Sequence, residues 1–257
     1  MGNQTLGRGK LYFSLFTADD NTYVPVGFRY LGNTPEFNLT IDNETLDHFS
    51  SDGGIREKDK SIVVETNMSG TITCDDISLE NLALFFFGSS ANLSQTAGTG
   101  QNYQIVGVQP ELMYQIGRTP SLPTGVRSLS NVVVRVGVAT KTLGVDYTID
   151  TELGMITIVK GGTIAAGATI DITYDRAART RTQVISGTQQ VKGALKFVSA
   201  NPEGAKMDYF MAYVRLSPNG DFALKGEEWQ QLSLTVEVLK AGDLERLYID
   251  GRPFVAS

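Results

Sequence analysis

The feature that most constrains this chain is a two-residue alternation of apolar and polar side chains. From Glu36 to Asp42, Phe37, Leu39 and Ile41 alternate with Glu36, Asn38, Thr40 and Asp42, a period that fits a strand with one apolar and one wet face and fits no helix. The period returns over Ile62–Thr73, where Ile62, Val64, Met68 and Ile72 oppose Glu65, Asn67, Ser69, Thr71 and Thr73. It returns again over Gln231–Leu239, where Leu232, Leu234, Val236 and Val238 oppose Gln231, Ser233, Thr235 and Glu237. Val191–Val198 and Tyr209–Ser217 read as further long strands, and Pro218-Asn219-Gly220-Asp221 as a turn before a short strand at Phe222–Leu224. A mainly β fold follows.

Between the first two strands lies Asn43–Ser61, a highly charged stretch around Gly53-Gly54 that is too long for a tight hairpin and reads as a long loop, functional or disordered. The spacing of Leu79, Leu82, Ala83 and Phe86 indicates a helix over Ser78–Gly88, capped by Asp76 or Ser78 and closed by Gly88. Leu84, Phe85 and Phe87 fall outside that stripe, so the helix calls for cover on a second side, from its own chain or from another subunit. Ser89–Asn102, rich in Ser, Gly, Thr and Asn, reads as a flexible loop. From Arg118 the character changes to short strands at Val132–Val138, Tyr147–Ile149, Met155–Val159 and Ile170–Tyr174, ending at the polar linker DRAARTR (Asp175–Arg181), whose arginines read as solvated. Residues 118–180 are therefore expected to be an inserted β module within an outer domain of residues 1–117 and 181–257.

The chemistry of catalysis is sparse. In 257 residues there is one histidine, His48, and one cysteine, Cys74, with no G-x-S-x-G, P-loop or G-x-G-x-x-G pattern. The paired carboxylates Asp75-Asp76 and Glu227-Glu228 fit helix capping and a solvated turn better than glycoside hydrolysis. Asn38-Leu-Thr40 and Asn43-Glu-Thr45 match glycosylation acceptors, but MGNQTLGRGK at the start is no secretory signal. The longest apolar run, Leu82–Phe87, is far too short for a membrane span. A net charge of −6 opposes tight nucleic-acid binding while suiting a surface that must not grip DNA. The expectation is a structural protein rather than an enzyme, with no cofactor and no metal.

Tyr23–Leu46 (YVPVGFRYLGNTPEFNLTIDNETL), the charged loop, the helix and the closing stretch Asn201–Leu239 together resemble the tail tube proteins of long, flexible-tailed bacteriophages (siphoviruses). NPEG (Asn201–Gly204) before a strand and LSPNGDFALKGEEWQQL (Leu216–Leu232) are the most specific parts. The likeness covers about the first 115 and last 75 residues, and the insert resembles the Ig-like modules that some members carry on the tube exterior. The resemblance implies a tail-tube-type β-sandwich or barrel with one flanking α-helix, in hexameric rings stacked into a tube around a lumen. Its partners would be other copies of the chain, a tape measure protein and viral DNA in the lumen without sequence-specific contact, and tail tip and terminator proteins at the ends. It would reside in the virion tail, and in the host cytoplasm during assembly. The lumen candidates are Glu36, Asn38, Thr40, Asp42, Glu65, Asn67, Ser233, Thr235 and Glu237, which would make the channel acidic. The inter-ring candidates are Asp47, Asp52, Arg56, Glu57, Lys58, Asp59 and Lys60, and the inter-subunit helix candidates are Leu84, Phe85 and Phe87. Two alternatives stay open: a tail terminator or baseplate ring of the same fold, and a β-sandwich carbohydrate-binding or adhesin protein, to which the lone Trp229 gives little support.

Overall fold

The computed structural model describes residues 4–16 and 23–252. In chain order the elements are β1 (Gly9–Leu15), β2 (Arg29–Tyr30), β3 (Glu36–Ser50), β4 (Glu57–Cys74), α1 (Leu79–Phe85) and β5 (Ser89–Gln95). Then follow β6 (Gly98–Val108), β7 (Met113–Gln115), β8 (Leu129–Val136), β9 (Ala139–Thr140), β10 (Tyr147–Asp150), β11 (Met155–Ile158), β12 (Ala168–Arg176) and β13 (Arg179–Ile185). The chain closes with β14 (Val191–Ser199), β15 (Lys206–Pro218), β16 (Leu232–Val238) and β17 (Tyr248–Arg252). The protein is mainly β, with one short helix among the described residues.

Two compact units result, Met1–Ser90 with Val184–Ser257, and Ala91–Gln183. In the first, an eight-stranded sheet runs β2-β1-β14-β15-β16-β4-β3. β15 is shared along one edge, where Val214–Pro218 pairs with β16 and Lys206–Phe210 pairs with β17. The alternation explains the core: Leu11, Phe13, Ile72, Cys74, Leu195, Met211, Val214, Leu216, Leu232, Leu234, Val236 and Val238 all point to one side. Burial pushes the Cys74 thiol up to about 12, so it packs as a neutral, nearly apolar group. Gly70 is required by close approach, since a Cβ there would lie 2.4 Å from the Asn38 carbonyl oxygen.

The second unit has a four-stranded sheet, β6-β12-β8-β9, and a three-stranded sheet, β10-β11-β7. They share a core that includes Val108, Ile116, Val134, Ile156, Ile158, Ile170 and Ile172. Buried Asp146 accepts hydrogen bonds from the Thr142 N–H (2.8 Å), the Thr163 N–H (2.7 Å) and the Thr163 hydroxyl (2.9 Å), which hold its carboxyl below the ordinary carboxylate range. The unit begins at Ala91, well before the expected boundary at Arg118. The reason is that β6 pairs with β12 from Val108↔Ala168 to Gly98↔Arg176, so the polar stretch Ser89–Asn102 is strand rather than loop. β5 pairs with β13, which begins within the expected linker at Arg179, while Asp175 and Arg176 of that linker end β12. Phe222–Leu224, expected as a strand, is irregular; Phe222 instead stacks near Phe85 (5.9 Å) and Phe86 (6.3 Å).

The helix is capped at Ser78, whose hydroxyl accepts the Asn81 N–H at 3.2 Å. Its buried face differs from the expected stripe, because Leu84 and Phe85 are each 6% exposed while Leu79 and Phe86 are 40% exposed. Phe87 is half-buried against the same core. Leu84 and Phe85 are therefore covered by their own chain, whereas Phe87 keeps a partly open side.

Asn81 sets that rotation. Its buried side chain donates to the Leu31 carbonyl (2.8 Å) and the Asp76 carbonyl (2.9 Å), and accepts from Arg29 Nη2 (2.8 Å). One side chain thus ties the helix to β2 and to the end of β4. Asn81→Ala leaves the buried Leu31 carbonyl without its donor and takes one acceptor from the half-buried Arg29 guanidinium, which keeps the Tyr30 carbonyl, and is expected to lower stability by about 1–3 kcal/mol. The urea midpoint checks this, and an unchanged midpoint would contradict the role assigned to Asn81.

Candidate assembly surfaces

Strand register brings every lumen candidate onto one face of one sheet. Cross-strand rows Ser233–Thr73–Glu36, Thr235–Thr71–Asn38 and Glu237–Ser69–Thr40 cross β16, β4 and β3, and Asn67–Asp42 and Glu65–Glu44 continue the face. Directly paired residues share a face in an antiparallel sheet. The opposite rows, Phe37–Ile72–Leu234, Leu39–Gly70–Val236 and Ile41–Met68–Val238, face the apolar side.

Beyond the lumen candidates, this polar face also carries cations. Glu237 pairs across the strands with Arg215 and forms an ion pair with it, and Arg215 pairs in register with Lys192. Farther along the same face, Tyr30–Tyr12–Lys196–Phe210–Tyr248 forms one row across β2, β1, β14, β15 and β17. A cleft of about 510 Å³ opens there, lined by Phe28, Lys196, Asp208, Phe210, Tyr248 and Asp250. Alternation of Lys10, Tyr12 and Ser14 with Leu11 and Phe13 was the sequence signal for this strand; the cross-strand row itself depends on register between distant segments.

The inter-ring candidates do not lie in a loop. β3 and β4 continue past the rest of the sheet as a two-stranded arm, paired from Asp42↔Asn67 out to Ser50↔Glu57. Only Met68–Cys74 of β4 pairs with β16 on its other edge, so beyond it the arm is a ribbon with no strand on either outer edge among the described residues, and Arg246 Nη1 donates to the Thr66 carbonyl at its base. Register shifts between Glu44 and Thr45 and between His48 and Phe49 break the alternation and explain why the sequence pattern hid these strands. Asp47 bonds Lys58 Nζ at 2.7 Å and accepts from Ser61 Oγ at 2.6 Å, His48 Nδ1 lies 2.6 Å from Asp59 Oδ1, and Arg56 covers Phe49 at 5.0 Å. Asp52, Glu57 and Lys60 are exposed around the tip. His48 is thus part of the strapping of the arm.

Apolar side chains remain uncovered on this arm. Leu46 is 62% exposed, Ile55 80%, Val63 57% and Val64 54%. At the start of β3, a cleft of about 780 Å³ is lined by Phe37, Leu39, Phe197 and Tyr209 together with the polar Arg8, Asn33, Glu36 and Asn38. Trp229 stands 91% exposed in the irregular segment after β15, away from any aromatic cluster among the described residues. No group of His, Cys, Asp and Glu among the described residues converges on a metal-binding arrangement, and no helix is long and apolar enough to cross a membrane.

Residues 4–244 match the family described as protein of unknown function UCP028589, and the chain belongs to that family. No curated protein matches the sequence.

Two hydrogen bonds, from Lys58 first and then Ser61, hold the Asp47 carboxyl below its ordinary range. A depressed folded-state pKa contributes stability above the unfolded value, about 3.9, that is lost as pH falls through the lower folded value. Cross-strand contact between Leu46 and Ile62, followed by NMR, is therefore expected to weaken below about pH 4 in the wild type. Asp47→Asn should remove that pH dependence; the same acid fraying in both proteins would show that Asp47 does not strap the arm.

Proposed function

We propose that this member of the family is a structural subunit that assembles with copies of itself into rings stacked as a hollow tube, of the kind that forms the tail tube of long-tailed bacteriophages. The first unit would supply the tube-forming β-sandwich with its flanking helix, and the second an Ig-like module on the exterior. The observation that carries this reading is the β3–β4 arm. An isolated two-stranded hairpin is marginal in water, and this one has no strand on either outer edge among the described residues and exposes a set of apolar side chains. Free edges and uncovered apolar surface favour pairing with another chain.

The same chain presents an apolar protrusion and a cleft of mixed lining, where Phe37, Leu39, Phe197 and Tyr209 lie beside Arg8, Asn33 and Glu36. Complementary, non-identical patches give head-to-tail contacts, which close into rings or propagate as filaments. The polar face of β16, β4 and β3 then suits the lumen. Glu36, Asp42, Glu44 and Glu65 repel DNA phosphates, while Glu237 is neutralised by Arg215.

Joining Glu44 to Glu65 through Asn-Gly in place of residues 45–64 keeps the inner sheet and removes the outer arm. This variant is expected to be a folded monomer by circular dichroism and light scattering, whereas the wild type at high concentration gives tubes in negative-stain electron microscopy. Normal tubes from the variant would remove the arm from the assembly. Wild-type rings that never stack would select a terminator or baseplate ring, and a wild type that stays monomeric at all concentrations would overturn the reading. Glu65→Lys is expected to leave tubes intact and slow DNA passage, most strongly at low salt.

A further inference from the structure

The second unit is charged opposite to the rest of the chain. Residues 91–183 hold eight Lys and Arg against six Asp and Glu, a balance of +2, which leaves −8 for the remainder of a protein whose total is −6. Three of its arginines converge on one small region. Arg179 and Arg181 stand two residues apart on β13, hence on one side of the strand. Arg181 Nη2 donates to Thr124 Oγ1 (3.1 Å) and the Gly125 carbonyl (3.0 Å). Arg179 donates to Ser128 Oγ (2.9 Å) and to Glu152 Oε1 (3.4 Å), and Arg127 Nη1 donates to the Leu153 carbonyl (2.8 Å). All three guanidiniums are thus anchored within residues 124–128 and 152–153. Glu152 is the one carboxylate bonded to any of them among the described residues.

These anchors fix the guanidiniums without exhausting them. Each carries five N–H donors, and among the described residues Nε and one Nη of both Arg127 and Arg181 meet no acceptor. Burial, and then the charges of Arg127 and Arg179, pull the Arg181 pKa below its ordinary value. A bound anion would relieve that crowding of like charge, and converging planar guanidiniums match a multivalent oxyanion better than one carboxylate.

We propose that Arg127, Arg179 and Arg181 form a binding site for a phosphate group, carried either by free phosphate or by the phosphodiesters of a polymer. The inference stands on the second unit alone and does not depend on tube assembly. Isothermal titration of the full chain at low ionic strength, with inorganic phosphate in one arm and poly(glycerol phosphate) in the other, tests it against chloride at matched ionic strength. Binding in the first arm identifies a free-ion site, and binding in the second alone identifies a polymer site. Arg181→Gln is expected to weaken binding about tenfold, the scale of one charge-assisted hydrogen bond. Arg135→Gln, on β8 opposite Asp171, should leave it unchanged. Glu152→Gln should strengthen binding about threefold by removing the competing carboxylate, and this variant keeps the test decisive should Arg181→Gln fail to fold. No binding in either arm, equal weakening by Arg135→Gln and Arg181→Gln, or a Glu152→Gln affinity no higher than wild type would overturn the proposal.

Discussion

The double pairing of β4 is the constraint on which the first unit depends. Over Met68–Cys74 it is held by β16 on one edge and β3 on the other, with Ile72 and Cys74 fully buried. A slip of one residue would send these apolar side chains to the polar face and the Ser and Thr residues into the core. That penalty fixes the register of three strands together, and so places Glu36, Asn38, Ser233 and Thr235 in common rows. Beyond Met68 the second partner is lost, and the same strand becomes one half of a free ribbon. A rigid sheet and an uncompleted arm are therefore two ends of a single element.

Charge is distributed in the same divided way. The first unit holds the acidic excess, much of it along β3 and β4, whereas the second has a positive balance centred on arginines held by backbone carbonyls and one glutamate. An acidic surface that repels polyanions and a separate module able to hold one are compatible within one chain. The interactions concerned are screened over about 10 Å at 0.1 M salt, so each surface acts locally.

The mainly β character, the inner strands and the helix cap were legible in the sequence because each rests on local periodicity. Phe37, Leu39 and Ile41 declare their face without knowledge of any partner, and the cap narrows to Asp76 or Ser78 from local spacing alone. The arm was not legible, because the register shifts at Glu44/Thr45 and His48/Phe49 break the two-residue period in a stretch whose charges resemble a loop. The helix face was misjudged for another reason. Asn81 appears polar in a helical stripe, yet it is buried by hydrogen bonds to Arg29, Leu31 and Asp76, which are distant in sequence or lie outside the helix. Ser89–Gln95 and Gly98–Asn102 are strands of Ser, Thr, Gly and Asn whose partners lie some 75–90 residues away, and no local signal reports that pairing. The arginines of the expected linker acquire their meaning only when Arg127 is brought beside them.

Hydrogen exchange across the arm tests the central claim most directly. In a free two-stranded ribbon, half of the amides of residues 42–50 and 57–67 face outward and exchange fast, whereas the completion of either edge by a second copy protects them. Exchange of these segments, read by mass spectrometry in dilute monomer and in concentrated assemblies, should therefore slow markedly on assembly, while Met68–Cys74 stays protected in both. Assemblies in which residues 42–67 exchange as fast as in the monomer would contradict the account.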